Sequence, residues 1–214
     1  IYTGEDTLSL HDALPISPHE DGKADYSAEV ASLAAAGGEL LVVAGYVDQG
    51  GKGVIQGSLD SGAFSTFYLV DGMYGESLIE AIGEPLNGSF GAVPGTDSEG
   101  AAKYEELATA AGFDGSNAFS KESYDAAALI MLSMAAANST ASKDWSTKVM
   151  DLANAPGEPI LPGELGKALE LIAAGTDIDY IGASAVELVG AGESAGAYRE
   201  YAINGGKIET VGFR

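Results

Sequence analysis

The sequence predicts an α/β fold in which a parallel sheet is flanked by helices and built from repeating strand, loop and helix units. Three observations predict it. Glu39 to Ala44 is a short, nearly unbroken apolar run, the pattern of a parallel strand buried on both faces. A glycine-rich turn and a helical stretch follow, and the same order returns from Phe64 onward. The connections are short, which favours right-handed βαβ units.

Taken in order, Ser27 is placed to cap a helix reaching Ala36, with Val30, Leu33 and Ala34 on one face and Gly37-Gly38 as its stop. After the first strand come the turn Gly45 to Gly53 and a helix from Val54 to Asp60, ending near Gly62. Phe64 to Val70 is the second strand, Asp71 to Gly75 its loop, Glu76 to Ile82 a helix, and Ser89 to Val93 a third strand. Helices then dominate: Ser98 to Ala111, Lys121 to Asn138, Asp144 to Asn154, and Pro162 to Ala174 with proline in its first turn. In the second of these, Tyr124, Ala127, Ala128, Met131 and Ala135 recur at helical spacing and are expected to face a core. The tail from Tyr180 is β-rich. Ala197 to Ile203 and Lys207 to Phe213 alternate around Asn204-Gly205-Gly206, a hairpin pattern.

Composition narrows the function classes. The chain has 214 residues, 46% of them hydrophobic, enough for a real core and against disorder. Acidic residues number 32 against 10 basic, a formal charge of -22 that repels phosphate backbones, so no nucleic acid partner is expected. Cysteine is absent, which removes disulfides, thiolate nucleophiles and cysteine zinc sites. The longest apolar stretch, Ala126 to Ala137, is shorter than the ~20 residues a membrane-spanning helix needs.

Several motifs fail on context. Gly192-Glu193-Ser194-Ala195-Gly196 matches the G-x-S-x-G elbow of serine esterases, but a strand follows it and no histidine lies beyond Ser194 to serve as base. Esterase activity stays a remote alternative, and no catalytic residue is assigned. Gly50-Gly51-Lys52-Gly53 with Gly57 lacks the spacing of a phosphate-binding turn, since Gln56 stands where glycine is required. Asp177 and Asp179 open a calcium-like pattern that Ile181 breaks, so neither a metal nor a cofactor is expected.

Ligands of open parallel sheets sit beyond the carboxyl ends of the strands. Tyr46 follows the first strand and Asp71 the second, so both are expected on one edge of the sheet. A ring with a hydroxyl and a carboxylate together suit an amino acid's ammonium group. Each residue also has a purely structural role open to it: Tyr46 covering a strand end, Asp71 closing a turn with Gly72.

The segments Gly22 to Val30, Leu41-Val42-Val43-Ala44-Gly45-Tyr46 and Tyr68-Leu69-Val70-Asp71-Gly72, then Ser123 to Ala127 and Tyr198 to Val211, resemble in order and spacing the C-terminal part of type I periplasmic solute-binding proteins of ABC importers, the leucine/isoleucine/valine receptor family. The resemblance implies a two-lobed receptor that closes on a branched-chain amino acid or related small amide and delivers it to a membrane permease. It implies ligand contacts from Tyr46, Asp71, Gly72 and Tyr74, with Asp71 taking the α-ammonium. Leucine-type receptors are similar but carry glutamate there, so the shorter acid leaves the ligand open.

Residues 18–97 are then expected to form α/β units of the C-terminal lobe, 98–176 helices that pack on an N-terminal lobe outside this chain, and 177–214 the return. The resemblance also implies a periplasmic location and a monomer. A ligand-sensing domain of a regulator with the same fold is the alternative. Residues 1–17 stand apart: Leu10 to Ile16 resembles the translation of a sequencing-library adapter, and the segment shows no signal-peptide pattern, so it is expected to be non-native.

Overall fold

The computed structural model describes residues 15–214. Most of the adapter-like run, with His11, lies outside the described residues, and Pro15, Ile16 and Ser17 carry no regular structure. The described elements open with helix α1 (Ser27–Ala36), strand β1 (Leu41–Val43), α2 (Lys52–Ser61), β2 (Phe67–Leu69), α3 (Glu76–Ile82) and β3 (Phe90–Pro94). Helices α4 (Glu99–Ala111), α5 (Ser120–Ala137), α6 (Ser142–Trp145) and α7 (Val149–Ala153) follow. Then come β4 (Glu158–Ile160), α8 (Leu165–Ala173), β5 (Ile178–Tyr180), β6 (Leu188–Val189), β7 (Glu193–Ser194), β8 (Tyr198–Asn204) and β9 (Lys207–Phe213).

Five strands form one sheet in the order β1-β2-β3-β8-β9. The first three run parallel, with Val42 opposite Tyr68 and Tyr68 opposite Phe90. Gly88 N donates to Ile203 O (2.9 Å), Ile203 N to Ser89 O (2.8 Å) and Gly95 N to Ala197 O (3.0 Å), so β8 returns antiparallel beside β3. The chain divides into two compact units: one runs to Gly91 and includes Ala202–Glu209, and the other comprises Ala92–Tyr201 and Thr210–Arg214.

In the first unit, Leu41, Val43, Phe67 and Leu69 lie buried on one face of the sheet with Val30, Ile55 and Leu78 among the core residues. The opposite face corrects the expectation of two covered faces. Val42 is 51% exposed and Phe90 41%, with the Tyr68 ring set edge-on to Phe90 at 5.4 Å. The apolar run is continuous, but among the described residues only its alternate positions are covered.

The second unit has a core of Ala128, Leu129 and Leu132 from α5, Leu152 and Ala153 from α7, Ile160, Ala168 from α8, and Ile178 and Tyr180 from β5. β4 and β5 pair in parallel as a separate two-stranded sheet. Helix α5 has the expected period and a different phase. Its buried positions are Lys121, Asp125, Ala128, Leu129, Leu132 and Ser133, while Met131 is 53% exposed. A polar anchor sets that phase. The Asp125 carboxylate, 2% exposed, accepts from Tyr180 Oη (2.9 Å), Ala183 N (2.7 Å), Ser184 N (2.7 Å) and Ser184 Oγ (2.6 Å), pinning the chain after β5 to the helix.

Three smaller expectations are corrected. Ser27 is not a cap. Asp25 precedes α1 and accepts from Ser27 N (2.9 Å) and Ser27 Oγ (2.8 Å), which holds the Asp25 carboxyl below its usual range. The helix expected over 144–154 is broken at Ser146–Lys148 into α6 and α7, where serine and threonine propagate a helix weakly. Pro162 and Gly163 form a turn before α8, with Glu164 accepting from Leu161 N through its carboxylate (2.8 Å).

Other elements match closely. Helix α3 spans the expected residues, Ser98 caps α4 by accepting from Ala101 N (3.2 Å), and Gly205-Gly206 turn the hairpin.

Candidate ligand cleft

The register of β1 and β2 decides what meets at their carboxyl ends. Because Val43 lies opposite Leu69, three more residues on the first strand and three on the second bring Tyr46 level with Gly72. The Tyr46 ring lies over Gly72: a methyl group added there would stand 3.0 Å from its Cδ1 and collide with the Gly45 carbonyl oxygen. Only glycine lets the two loops approach this closely. Tyr46 is 62% exposed, so its ring faces outward as well as onto the neighbouring loop.

After Tyr46 the chain makes a wide helical turn over Val47–Gly51, in which the Tyr46 carbonyl accepts from Gln49 N (3.2 Å) and Gly51 N (3.0 Å). Gly50, at φ 108°, places its Cα against the Tyr26 hydroxyl, where a side chain would meet it at 2.6 Å. Tyr26 is buried and donates to Glu20 O (3.1 Å), so the turn is seated on α1's entry segment. His19 packs beside it, within 3.3 Å of where a Gly45 side chain would begin.

These loops border a shallow, widely open depression of about 560 Å³, lined among others by Tyr46, Asp48, Gln49, Gly72, Tyr74 and Ser77. The volume falls within the ~300–1,000 Å³ of small-molecule clefts. Three of the four expected site residues, Tyr46, Gly72 and Tyr74, therefore line one space. Asp71 is exposed at its margin, next to Gly72, and its Oδ1 accepts from Gly72 N (2.7 Å). That bond reaches the very next amide, one residue short of the Asx turn expected as Asp71's structural role, and it leaves Oδ2 for another donor.

Sequence reasoning missed Asp48, Gln49 and Ser77. Their signal was position, since Asp48 and Gln49 follow Tyr46 within the same turn. Lys52 Nζ pairs with Asp48 Oδ1 at 2.8 Å, both side chains being exposed.

A smaller cavity, about 50 Å³, lies in the second unit beside Thr96, Ser116, Asn117 and Lys121. Several of its donors are already engaged. Lys121 Nζ binds Glu105 Oε1 (2.8 Å) and Gly115 O (3.3 Å), while Ser116 and Asn117 bind Asp114.

The esterase-like serine, Ser194, sits in β7 opposite Leu188, in a strand and not at a strand-to-helix elbow. No group of three or more histidine, aspartate or glutamate side chains suited to a metal occurs among the described residues. No described helix is long and apolar enough to cross a membrane.

Sheet and cleft define the class: an α/β domain with a solute-sized opening at the carboxyl ends of parallel strands. No protein-family model and no curated protein matches the chain. Solved structures do. A leucine-binding protein from Thermotoga maritima superposes with TM-score 0.65 at 16% identity, over 90% of this chain and 49% of its own.

A type 1 periplasmic binding protein from Bordetella pertussis gives 0.60 at 17%, over 88% and 50%. A branched-chain amino acid ABC transporter from Thermus thermophilus with bound valine gives 0.53 at 15%, over 90% and 50%. The chain has the type I periplasmic-binding-protein fold, and it spans about half the length of the solved structures it matches.

Proposed function

We propose that this chain is part of the substrate-binding component of an ABC importer, and that it binds a small solute carrying an ammonium group, an amino acid or a related amide. The observation that carries the reading is the meeting of Tyr46 and Gly72 on adjacent strand tips, with Asp71 beside them at the edge of a solute-sized cleft. A ring face and a carboxylate, both open to solvent until a ligand arrives, suit an ammonium group.

Binding is the whole of the proposed activity. The captured solute would pass to a membrane permease, and the protein would work as a periplasmic monomer. In this reading residues 18–97 and 177–214 belong to one lobe and 98–176 to the other, with the groups for the solute's carboxylate outside the cleft wall described above. The named neighbours support it, since one is a leucine-binding protein and another holds bound valine.

The test is a titration of the chain with amino acids and short amides, followed through backbone amide NMR signals of Tyr46, Gly72 and Tyr74. Saturable shifts at these residues, weakened at least about tenfold by Tyr46→Ala and by Asp71→Asn, are expected. Shifts that ignore both substitutions would sink the reading.

A further inference from the structure

The wall around this cleft has a chemical bias that the solved neighbours' ligands do not explain. Its one aliphatic lining residue, Val47, is buried, and Met73 beneath the loop is buried too. What the wall offers a solute is two tyrosines, the Asp48 carboxylate, the Gln49 amide and the Ser77 hydroxyl, with Asp71 alongside. An aliphatic side chain would find two ring faces here, set among polar and charged groups that it cannot satisfy.

Charge points the same way. The described residues of the first unit contain no arginine, and their lysines are Lys23, Lys52 and Lys207. Lys23 is paired with Glu29, and Lys52 with Asp48. Acidic side chains far outnumber these lysines, in a chain of formal charge -22. Such a field attracts cations to the cleft and repels acidic solutes. The Lys52 ammonium on Asp48 is an exposed pair four residues apart, weak enough to yield to a competing cation.

Building on the amino-acid reading above, we propose that the solute bears a net positive charge, with a second ammonium or guanidinium group besides the one beside Asp71. Asp48 selects that group, and the faces of Tyr46 and Tyr74 flank it. Lys52 is the internal competitor that the solute displaces from Asp48.

The experiment titrates the 214-residue chain with L-lysine, L-leucine and L-glutamate into the millimolar range, following the amide signals of Tyr46, Asp48 and Gly72 by NMR. L-Lysine is expected to bind at least about tenfold tighter than L-leucine, with L-glutamate weakest. Asp48→Asn brings the lysine-to-leucine ratio toward one. Lys52→Gln, which removes the competitor, raises it. Added salt weakens L-lysine binding more than L-leucine binding, since two charges of L-lysine are screened against one of L-leucine.

Equal or tighter binding of L-leucine, or a ratio indifferent to both substitutions, overturns the charge proposal and leaves the amino-acid reading standing. If none of the three moves these signals, both fall.

Discussion

Two aspartates, one in each compact unit, show how the same side chain is put to opposite uses. Asp125 is buried and its two oxygens accept four donors, from Tyr180, Ala183 and both groups of Ser184. Asp71 is exposed and accepts a hydrogen bond from the amide next to it. A carboxylate withdrawn from water must be satisfied inside the protein, and one so satisfied has nothing left for a ligand. The exposed one keeps its second oxygen for whatever enters the cleft. Solvation and donor count, more than residue type, separate a structural acid from a candidate binding acid.

The contrast breaks or sharpens under four tests. The largest effect is expected from Asp125→Ala, which strands the Tyr180 hydroxyl, two amides and the Ser184 hydroxyl. It should cost about 3–5 kcal/mol in urea denaturation, and a loss below about 1 kcal/mol would remove Asp125 from its anchoring role. Next comes Gly72→Ala, whose methyl group collides with the Gly45 carbonyl and presses on the Tyr46 ring. A cost of about 1–3 kcal/mol is expected, together with altered amide shifts along Tyr46–Gly51.

Tyr180→Phe should cost about 1 kcal/mol at neutral pH, the net worth of one hydrogen bond. It also carries a pH signature. Burial first, then the Asp125 charge and its bond, raise the Tyr180 phenol above its ordinary 10.0. The folded chain keeps that proton where the unfolded chain surrenders it. This contribution is therefore full below pH 10 and declines as pH climbs past 10, and the phenylalanine variant should lack that decline. Denaturation midpoints measured at neutral pH and on either side of pH 10 decide it.

The smallest effect belongs to Asp71→Asn, which should leave stability within about 0.5 kcal/mol of the parent. A large stability loss there would make Asp71 a second structural acid and dissolve the comparison.

Much of the fold was legible because it is written locally. Helix α3, the capped start of α4 and the Gly205-Gly206 hairpin each rest on a few adjacent residues. The phase of α5 was not legible, because alanines and methionines along the helix look alike to a reading of hydrophobicity. The residue that orients it, Asp125, is one that such a reading assigns to solvent, and its partners lie 55 to 59 positions away. The split into α6 and α7 was likewise hidden in a continuous helical pattern.

At the candidate site, strand ends alone pointed to Tyr46, which lines the cleft, and to Asp71, which lies beside Gly72 and outside the lining, while Gly72 and Tyr74 came with the family resemblance. Asp48, Gln49 and Ser77 could not be placed, since the turn that presents the first two depends on Gly50 settling against Tyr26.

The order of strands in the large sheet has a consequence for synthesis. β1, β2 and β3 are complete by Pro94, yet the neighbour of β3 is β8, which begins at Tyr198. While the intervening hundred or so residues emerge from the ribosome, β3 remains an open border with unmatched amides and carbonyls. A nascent chain stalled before Tyr198 would carry that sticky margin, and the arrival of β8 is the step that covers β3 and moves the open border outward to β9.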